Sequence, residues 1–340
     1  VKYPSLFSRI FLALCLGALS FFYAATANAD MTFVNRPDVQ QFITKMVRQY
    51  GFKRSELNQL FSTVKIKPRI VQSVRAPLEV QPWYIYQNVF LTPSHIHEGV
   101  AFWERNKETL ARAEKIYGVP ASIIVATIGV ETKYGKEKGA YRVLDALTNI
   151  AFSTSHRAGY FRQELVDFLL LSREQHLDPL TIRGSYAGAI GQPQFMPSSY
   201  RHFAVNFSGN SKIDLNNNVL DIIGSIANYY QKHGWLANQP VAIPTTAETS
   251  RYRFLLRNKP SQWLSQEELE EYGLFPVYKI PAGQKIRIIE LQGSRGNEYW
   301  IGLTNFEVIK RYNPSNLYAM AVYQLSYYIS SLREKTYHES

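Results

Sequence analysis

The sequence predicts a mainly helical fold carrying one small β-containing module, an α+β arrangement. Three observations support this reading. Apolar residues recur at helical spacing from Pro37 to Lys232, short β-prone runs take over after Trp235, and helical spacing returns from Asn316 to Arg333.

The elements follow in order. Phe42, Met46 and Tyr50 recur every four residues, Gly51 interrupts them, and Ser55 opens a second helix through Leu57, Leu60 and Phe61, which Lys67-Pro68 ends or restarts. Residues 74–92 read as extended or irregular, with Pro77, Pro82 and the aromatic cluster Trp83, Tyr84, Tyr86 and Phe90. Thr92-Pro93 reads as an N-cap with proline at the first helical position, launching a helix to Tyr117 that closes on Gly118. The next helix runs from Ala121 to Tyr134 and stops at Gly135. Helical spacing continues through Phe161, Leu165, Phe168 and Leu169, and from Val219 to Lys232; residues 184–197 between them are too rich in Gly and Pro for one regular element. Strands are expected at Val241-Ala242-Ile243, Tyr252 to Leu256, Val277-Tyr278, Ile286 to Ile289 and Tyr299-Trp300-Ile301, with a capping box, Ser265 and Glu268, opening a short helix. The domain plan is a leader (1–29), an N-terminal helical region (30–92), a helical core (93–240), the β-containing module (241–305) and a C-terminal helix packing back on the core (306–340).

The first residues read as a cleavable export signal. Lys2 and Arg9 precede an apolar run from Ile10 to Tyr23, and Ala27-Asn28-Ala29 supplies small residues for cleavage after Ala29. The run is short for a membrane span and has no charged flank behind it, so a soluble periplasmic protein with no transmembrane segment is expected. Cys15, the single cysteine, lies inside that run behind a large Leu14, which argues against lipid attachment and leaves the mature chain without disulfides. The full chain has a net charge of +11, and no long run of like charge marks a nucleic-acid tail. For an exported basic protein the fitting polyanions are the cell-wall polymer and the membrane surface.

Residues 121–135 form a helix that is apolar until its last turn, and Glu131 is its first charge. Ile124, Ile128 and Glu131 share one face. Burial of that face and the negative end of the helix dipole both favour the protonated carboxyl, raising its pKa as a general acid requires. The bland alternative is a solvated carboxylate or one paired with nearby Lys133. Asp145 and Glu164 are expected at the surface, as are His95 and His97, whose spacing of two does not suit a helical metal pair.

Several blocks decide between these readings. Gly129-Val130-Glu131-Thr132-Lys133-Tyr134-Gly135, Gly184-Ser185-Tyr186-Ala187-Gly188-Ala189 and Gln194-Phe195-Met196-Pro197-Ser198-Ser199-Tyr200 resemble signature blocks of the lytic murein transglycosylase B family. Phe102-Trp103, Tyr117-Gly118-Val119-Pro120, Ala227-Asn228-Tyr229, His233-Gly234-Trp235 and Arg311-Tyr312-Asn313 agree, so the likeness spans nearly the whole chain. The resemblance implies a lysozyme-like helical core and a peptidoglycan-cleaving enzyme. Such an enzyme cuts the β-1,4 bond from N-acetylmuramic acid to N-acetylglucosamine without water, leaving 1,6-anhydro ends. It further implies Glu131 as the single acid/base, with Ser185 and Gln194 beside it. Tyr86, Tyr229, Tyr312 and Tyr318 would line the cleft, with Phe195 and Met196, and Asn313 would lie near the carboxyl. Arg157 would meet a carboxylate of the peptide or lactyl stem, with His156 where the family has a second arginine.

Ordinary glycosidases use two carboxylates, and the blocks contain no second one. A lysozyme-type hydrolase and a non-catalytic wall-binding scaffold are the alternative readings. Residues 206–217 resemble the family's calcium loop, but Asn206, Ser208, Asn210, Lys212 and Asn217 leave Asp214 as its one carboxylate, so weak calcium binding or none is expected and no cofactor is required. The expected partners are peptidoglycan glycan strands and proteins of cell-wall synthesis or hydrolysis; no nucleic acid is expected.

Overall fold

The computed structural model describes residues 32–73, 80–258 and 264–339. The expected leader and Pro77 lie outside the described residues. Two compact units meet in sequence between Lys65 and Ile66. The first holds α1 (Pro37–Tyr50) and α2 (Arg54–Ser62). Val39, Phe42, Ile43 and Met46 bury one side of α1, the left-handed Gly51 ends it, and Phe42 meets Phe61 of α2 edge-on at 5.8 Å.

The second unit begins with α3 (Pro68–Ser73), so Pro68 restarts a helix rather than ending one. Then come α4 (Trp83–Phe90), α5 (Pro93–Arg105), α6 (Lys107–Tyr117), α7 (Ala121–Thr132), α8 (Val143–Ala151), α9 (Ala158–Glu174), α10 (Pro197–Phe203) and α11 (Val219–Lys232). A two-stranded ladder pairs β1 (Tyr141–Arg142) with β2 (Arg183–Gly184). The irregular reading of 74–92 is corrected over α4: Trp83 and Tyr86 are buried three residues apart, which is a helical spacing. The single helix expected over 93–117 is two helices that meet at Asn106, whose side-chain amide donates to the Phe102 carbonyl. The Thr92 cap is present, its hydroxyl oxygen accepting from His95 N at 3.2 Å.

Helix α7 is the centre of this unit. Nine of its twelve residues are buried, so it is apolar all round and needs cover on every side. α5, α6, α11 and the last helix, α15 (Asn316–Glu339), supply it. His95 of α5 is buried, not exposed as expected, because its Nε2 meets the Gly129 carbonyl at 2.9 Å. A carbonyl only accepts, so that nitrogen carries the proton. Burial holds the ring's pKa below the ordinary histidine value, which favours the neutral form. Tyr134 folds back to donate to the His95 carbonyl at 2.9 Å, and a Cβ on Gly129 would stand 2.7 Å from that phenol oxygen.

Two acids expected at the surface are also buried, Asp145 at 1% and Glu164 at 3% exposure, because α8 and α9 pack on one another. Asp145 accepts from Arg142 at 2.5 Å and faces the Lys67 ammonium at 3.8 Å. Glu164 accepts from Ser198 N at 3.0 Å and Ser198 Oγ at 2.7 Å, capping α10.

The β-containing module is an antiparallel sheet in the order β4 (Leu274–Pro276), β3 (Ala242–Ala247), β6 (Gly296–Gly302) and β5 (Arg287–Gly293). It carries α12 (Tyr252–Asn258) and α13 (Gln266–Glu271), the latter with the expected capping box. Residues 252–256 are therefore helix and not strand: Tyr252 and Leu255 enter the module core together while Phe254 stays exposed. α14 (Thr304–Tyr312) follows, and α15 returns to α7 and α5. Among the described residues no single helix is long and apolar enough to cross a membrane.

Buried Asn305 joins the entry and exit of the module. Its amide donates to the carbonyls of Leu236 and Gln239, each at 2.9 Å, and accepts from Leu236 N at 2.8 Å. Removing it strands buried backbone groups, so Asn305→Ala should cost about 3 kcal/mol in urea unfolding. Asn305→Asp, which cannot donate, should remain destabilised. Equal urea midpoints for wild type and Asn305→Ala would refute the role of this joint.

Candidate active site

Glu131 sits in the last turn of α7, half-buried. The chain reverses sharply behind it: Lys133, Tyr134 and Gly135 take φ of 48, 57 and 87°, all left-handed, which is uncommon for Lys and Tyr. Thr132 secures the reversal, its hydroxyl accepting from Gly135 N and donating to the Gln192 carbonyl, each at 3.1 Å. Lys133 pairs with Glu137 at 2.5 Å, so it does not play the counter-ion role weighed for it beside Glu131. The Tyr318 hydroxyl, from the first turn of α15, donates to Glu131 Oε1 at 2.5 Å.

The segment 184–197 forms one wall. Ile190 and Phe195 exchange backbone hydrogen bonds of 2.8 and 3.1 Å, and Ser185 N donates to the Ala189 carbonyl at 2.9 Å. The Ser185 hydroxyl oxygen accepts from Ala187 N and Ala189 N at 3.2 and 3.0 Å, and a hydroxyl so engaged can still donate its proton. Gln194 takes a left-handed φ of 48°. Its side-chain nitrogen donates to the carbonyls of Gly191 at 2.8 Å and Lys138 at 3.2 Å, which leaves Oε1 as the acceptor end of the amide.

A set of tyrosines closes the site. Tyr312 lies stacked on Tyr318 with ring centroids 6.4 Å apart and donates its hydroxyl to the Pro193 carbonyl at 2.6 Å. Tyr229 packs 4.8 Å from Tyr312 and donates to the Arg311 carbonyl at 2.7 Å; Tyr230 shares a 2.9 Å hydrogen bond with Thr127 of α7. Burial, then the charge of Glu131, holds the phenols of Tyr312 and Tyr318 well above the ordinary tyrosine range. Burial does the same for Tyr229 and Tyr230, with a smaller upward push from Glu131. All four stay protonated, and so able to donate, at neutral pH.

These contacts bring Glu131, Tyr229, Tyr312 and Tyr318 into one cluster, and Gln194 directly follows Pro193, whose carbonyl accepts from Tyr312. Ser185 stands on the same folded wall, Met196 is half-buried at its end, and Asn313 is half-buried beside Tyr312 in sequence. One expectation is corrected: Phe195 is 2% exposed, its ring packed against Tyr229 and Tyr312 as support rather than lining. Tyr86 is 1% exposed, its ring beside those of Trp83 and Phe90. Arg157 is exposed at the start of α9, its guanidinium over Tyr160 and Phe161, and His156 is exposed beside it. Sequence reading missed Thr132, Gln192 and Tyr230. Each lay inside or next to a quoted block, and the signal that could have found them was position alone.

A family model described as the transglycosylase SLT domain matches residues 35–327. The chain is 41% identical over 311 residues to membrane-bound lytic murein transglycosylase B of Escherichia coli strain K12, covering 88% of this chain and 85% of that protein. By structure it is similar to the soluble lytic transglycosylase SltB1 of Pseudomonas aeruginosa, at 44% identity and a TM-score of 0.80 over 88% of this chain and 100% of that one. It is also similar to the Escherichia coli lytic transglycosylase Slt35 solved in complex with calcium, at 38% identity and a TM-score of 0.80 over 90% and 98%. The chain belongs to the SLT-domain transglycosylases and is an enzyme of the lytic murein transglycosylase class.

Proposed function

We propose that this enzyme cleaves the β-1,4 bond between N-acetylmuramic acid and N-acetylglucosamine in peptidoglycan, with Glu131 acting first as acid and then as base. The observation that carries the assignment is the position of Glu131: a half-buried carboxyl ending an apolar helix, held at one oxygen by Tyr318. Asp145 of α8 and Glu164 of α9 are committed to Arg142, Lys67 and Ser198.

In the first step Glu131 gives its proton to the glycosidic oxygen as the bond to the muramoyl C1 breaks, and the departing sugar keeps that proton as a hydroxyl. The acetamido oxygen of the muramoyl unit supports the electron-poor C1. In the second step the C6 oxygen bonds to C1 while its proton passes to Glu131, restoring the acid. No water is consumed, so the products together weigh what the substrate weighed. This route needs one carboxyl where a hydrolase needs two.

The surrounding groups suit the sugar. Gln194 Oε1 accepts from an acetamido N–H or a hydroxyl, the Ser185 proton is available to a sugar oxygen, and the Tyr318 and Tyr312 phenols bound the acid side. Met196 and Asn313 extend the lining, and Arg157, exposed and cationic, suits a stem carboxylate. The leader-like residues 1–29 and the net charge of +11 support export to the periplasm and attraction to an anionic wall.

Digestion of purified peptidoglycan should release anhydro-ended products lighter by one water than hydrolytic ones, as read by mass spectrometry. Glu131→Gln should lower that release by about a thousandfold while the circular dichroism spectrum stays unchanged. Reducing ends from wild type, or an active Glu131→Gln, would overturn the assignment.

The reaction requires protonated Glu131 at its start, so the rate falls as pH rises through the pKa of that group. Tyr318 donates to the carboxylate and favours its ionised form. Tyr318→Phe should therefore move the alkaline limb of kcat to higher pH and lower the maximal rate roughly tenfold, the scale of one lost hydrogen bond to a charged group. An alkaline limb left in place would show that Tyr318 does not set the acid's proton affinity.

A further inference from the structure

We propose that the Lys138 ammonium is a built-in cation of the 206–218 loop and serves there in place of a bound calcium ion. Calcium asks for six to eight oxygens with carboxylates among them. The loop's donor set does not fit that demand. Asn206 turns its amide nitrogen to the Asn210 carbonyl, and its Oδ1 accepts from Ser208 Oγ at 3.3 Å. Asp214 spends one oxygen on Asn216 N and Asn217 N at 2.8 and 3.1 Å and the other on Asn217 Nδ2 at 3.2 Å. Buried Asp221 accepts from Ser208 N at 2.8 Å and Asp214 N at 3.1 Å, joining two points of the loop six residues apart.

The positive charge is already supplied. Lys138 Nζ donates to the Asn216 carbonyl at 3.1 Å and to Asn217 Oδ1 at 3.3 Å, the latter being the loop's twelfth position. A second ammonium, Lys212, stands at the seventh, so the loop and its Asp221 staple hold two carboxylates against two ammonium groups. A dication would add an excess of positive charge and meet the Lys138 ammonium at close range, where repulsion is strong.

The same lysine ties the loop to the site. Its own carbonyl accepts from Gln194 Nε2 at 3.2 Å, and the Asn216 carbonyl also accepts from Gln192 Nε2 at 3.3 Å. Gln192 N donates to the Leu215 carbonyl at 2.8 Å. Gly191 comes so close to that carbonyl, with a φ of 75°, that a Cβ there would collide with it. The loop is thus the backing of the wall that carries Gln194, and Lys138 pins it from the segment behind Glu131.

The test uses the full chain and calcium chloride as the probe. The wild-type melting temperature should be the same in calcium and in EDTA, with no saturable heat in a calcium titration. Lys138→Met should lower the melting temperature by about 3 °C, the shift expected for roughly one lost charged contact in a protein of this size, and Lys138→Arg should restore it without making it calcium-sensitive. Replacing Lys138 by Gln together with Asn206→Asp, Asn210→Asp and Asn217→Asp should make the melting temperature rise with calcium. A saturable calcium-dependent rise in wild type, or a Lys138→Met protein as stable as wild type in EDTA, would overturn the proposal.

Discussion

The 2.5 Å hydrogen bond from Tyr318 to Glu131 joins residues 187 positions apart, and much of the fold is arranged so that it can form. α7 delivers the carboxyl at the end of a helix buried on nearly every side, which leaves its last turn as the place where a charge can meet solvent. α15 delivers the phenol only because the chain comes back to α7 after the β-containing module. That return makes the module an excursion with tied ends, one tie being Asn305. The direction of the phenol is set locally. Ser315 Oγ accepts from Leu317 N and Tyr318 N at 3.1 and 3.3 Å, fixing the start of α15 and with it the first-turn tyrosine.

Around that bond, position is secured through backbone atoms more than through side-chain pairs. Pro193 and Gln192 present carbonyls to Tyr312 and Thr132, and Gly191 and Lys138 present theirs to Gln194. Left-handed residues at 133, 134, 191 and 194 are the conformational cost of folding two tight segments against each other. A wall stitched this way holds its polar groups before any sugar arrives, and preorganised groups stabilise developing charge without having to reorient. Strain next to a reactive group is where such a cost is expected to collect.

Much of this was legible in the sequence, and the boundary of legibility has physical causes. α7 announced itself by composition, and Glu131 by being its first charge. The capping box at Ser265 and the N-cap at Thr92 are local chemistry, so they appeared as expected. Readings that depend on a partner elsewhere in the fold fared worse. Asp145, Glu164 and His95 look like surface residues until Lys67, Ser198 and the Gly129 carbonyl are brought to them. Trp83 to Phe90 and Tyr252 to Leu256 are rich in residues that favour strands, and burial at a spacing of three made both helical. The blocks did not show that Phe195 is buried, since an aromatic's burial is decided by neighbours far away in sequence.

The fates of the acids bear on the double role proposed for Glu131. Asp145 stands against two cations and Asp221 accepts from two backbone amides. Glu164 is likewise bound into a helix cap. These three carboxylates are engaged in bonds that hold helices and loops together. At Glu131 the Tyr318 donor is a phenol, which orients the carboxylate without opposing its charge with a full positive one. A proton arriving there dissolves no ion pair at that bond, and a proton leaving finds the phenol still protonated, because burial and the carboxylate's own charge hold it so. A group that must be acid in one step and base in the next needs both states within reach. A neutral, fixed donor permits that where an arginine at the same place would favour one state strongly over the other.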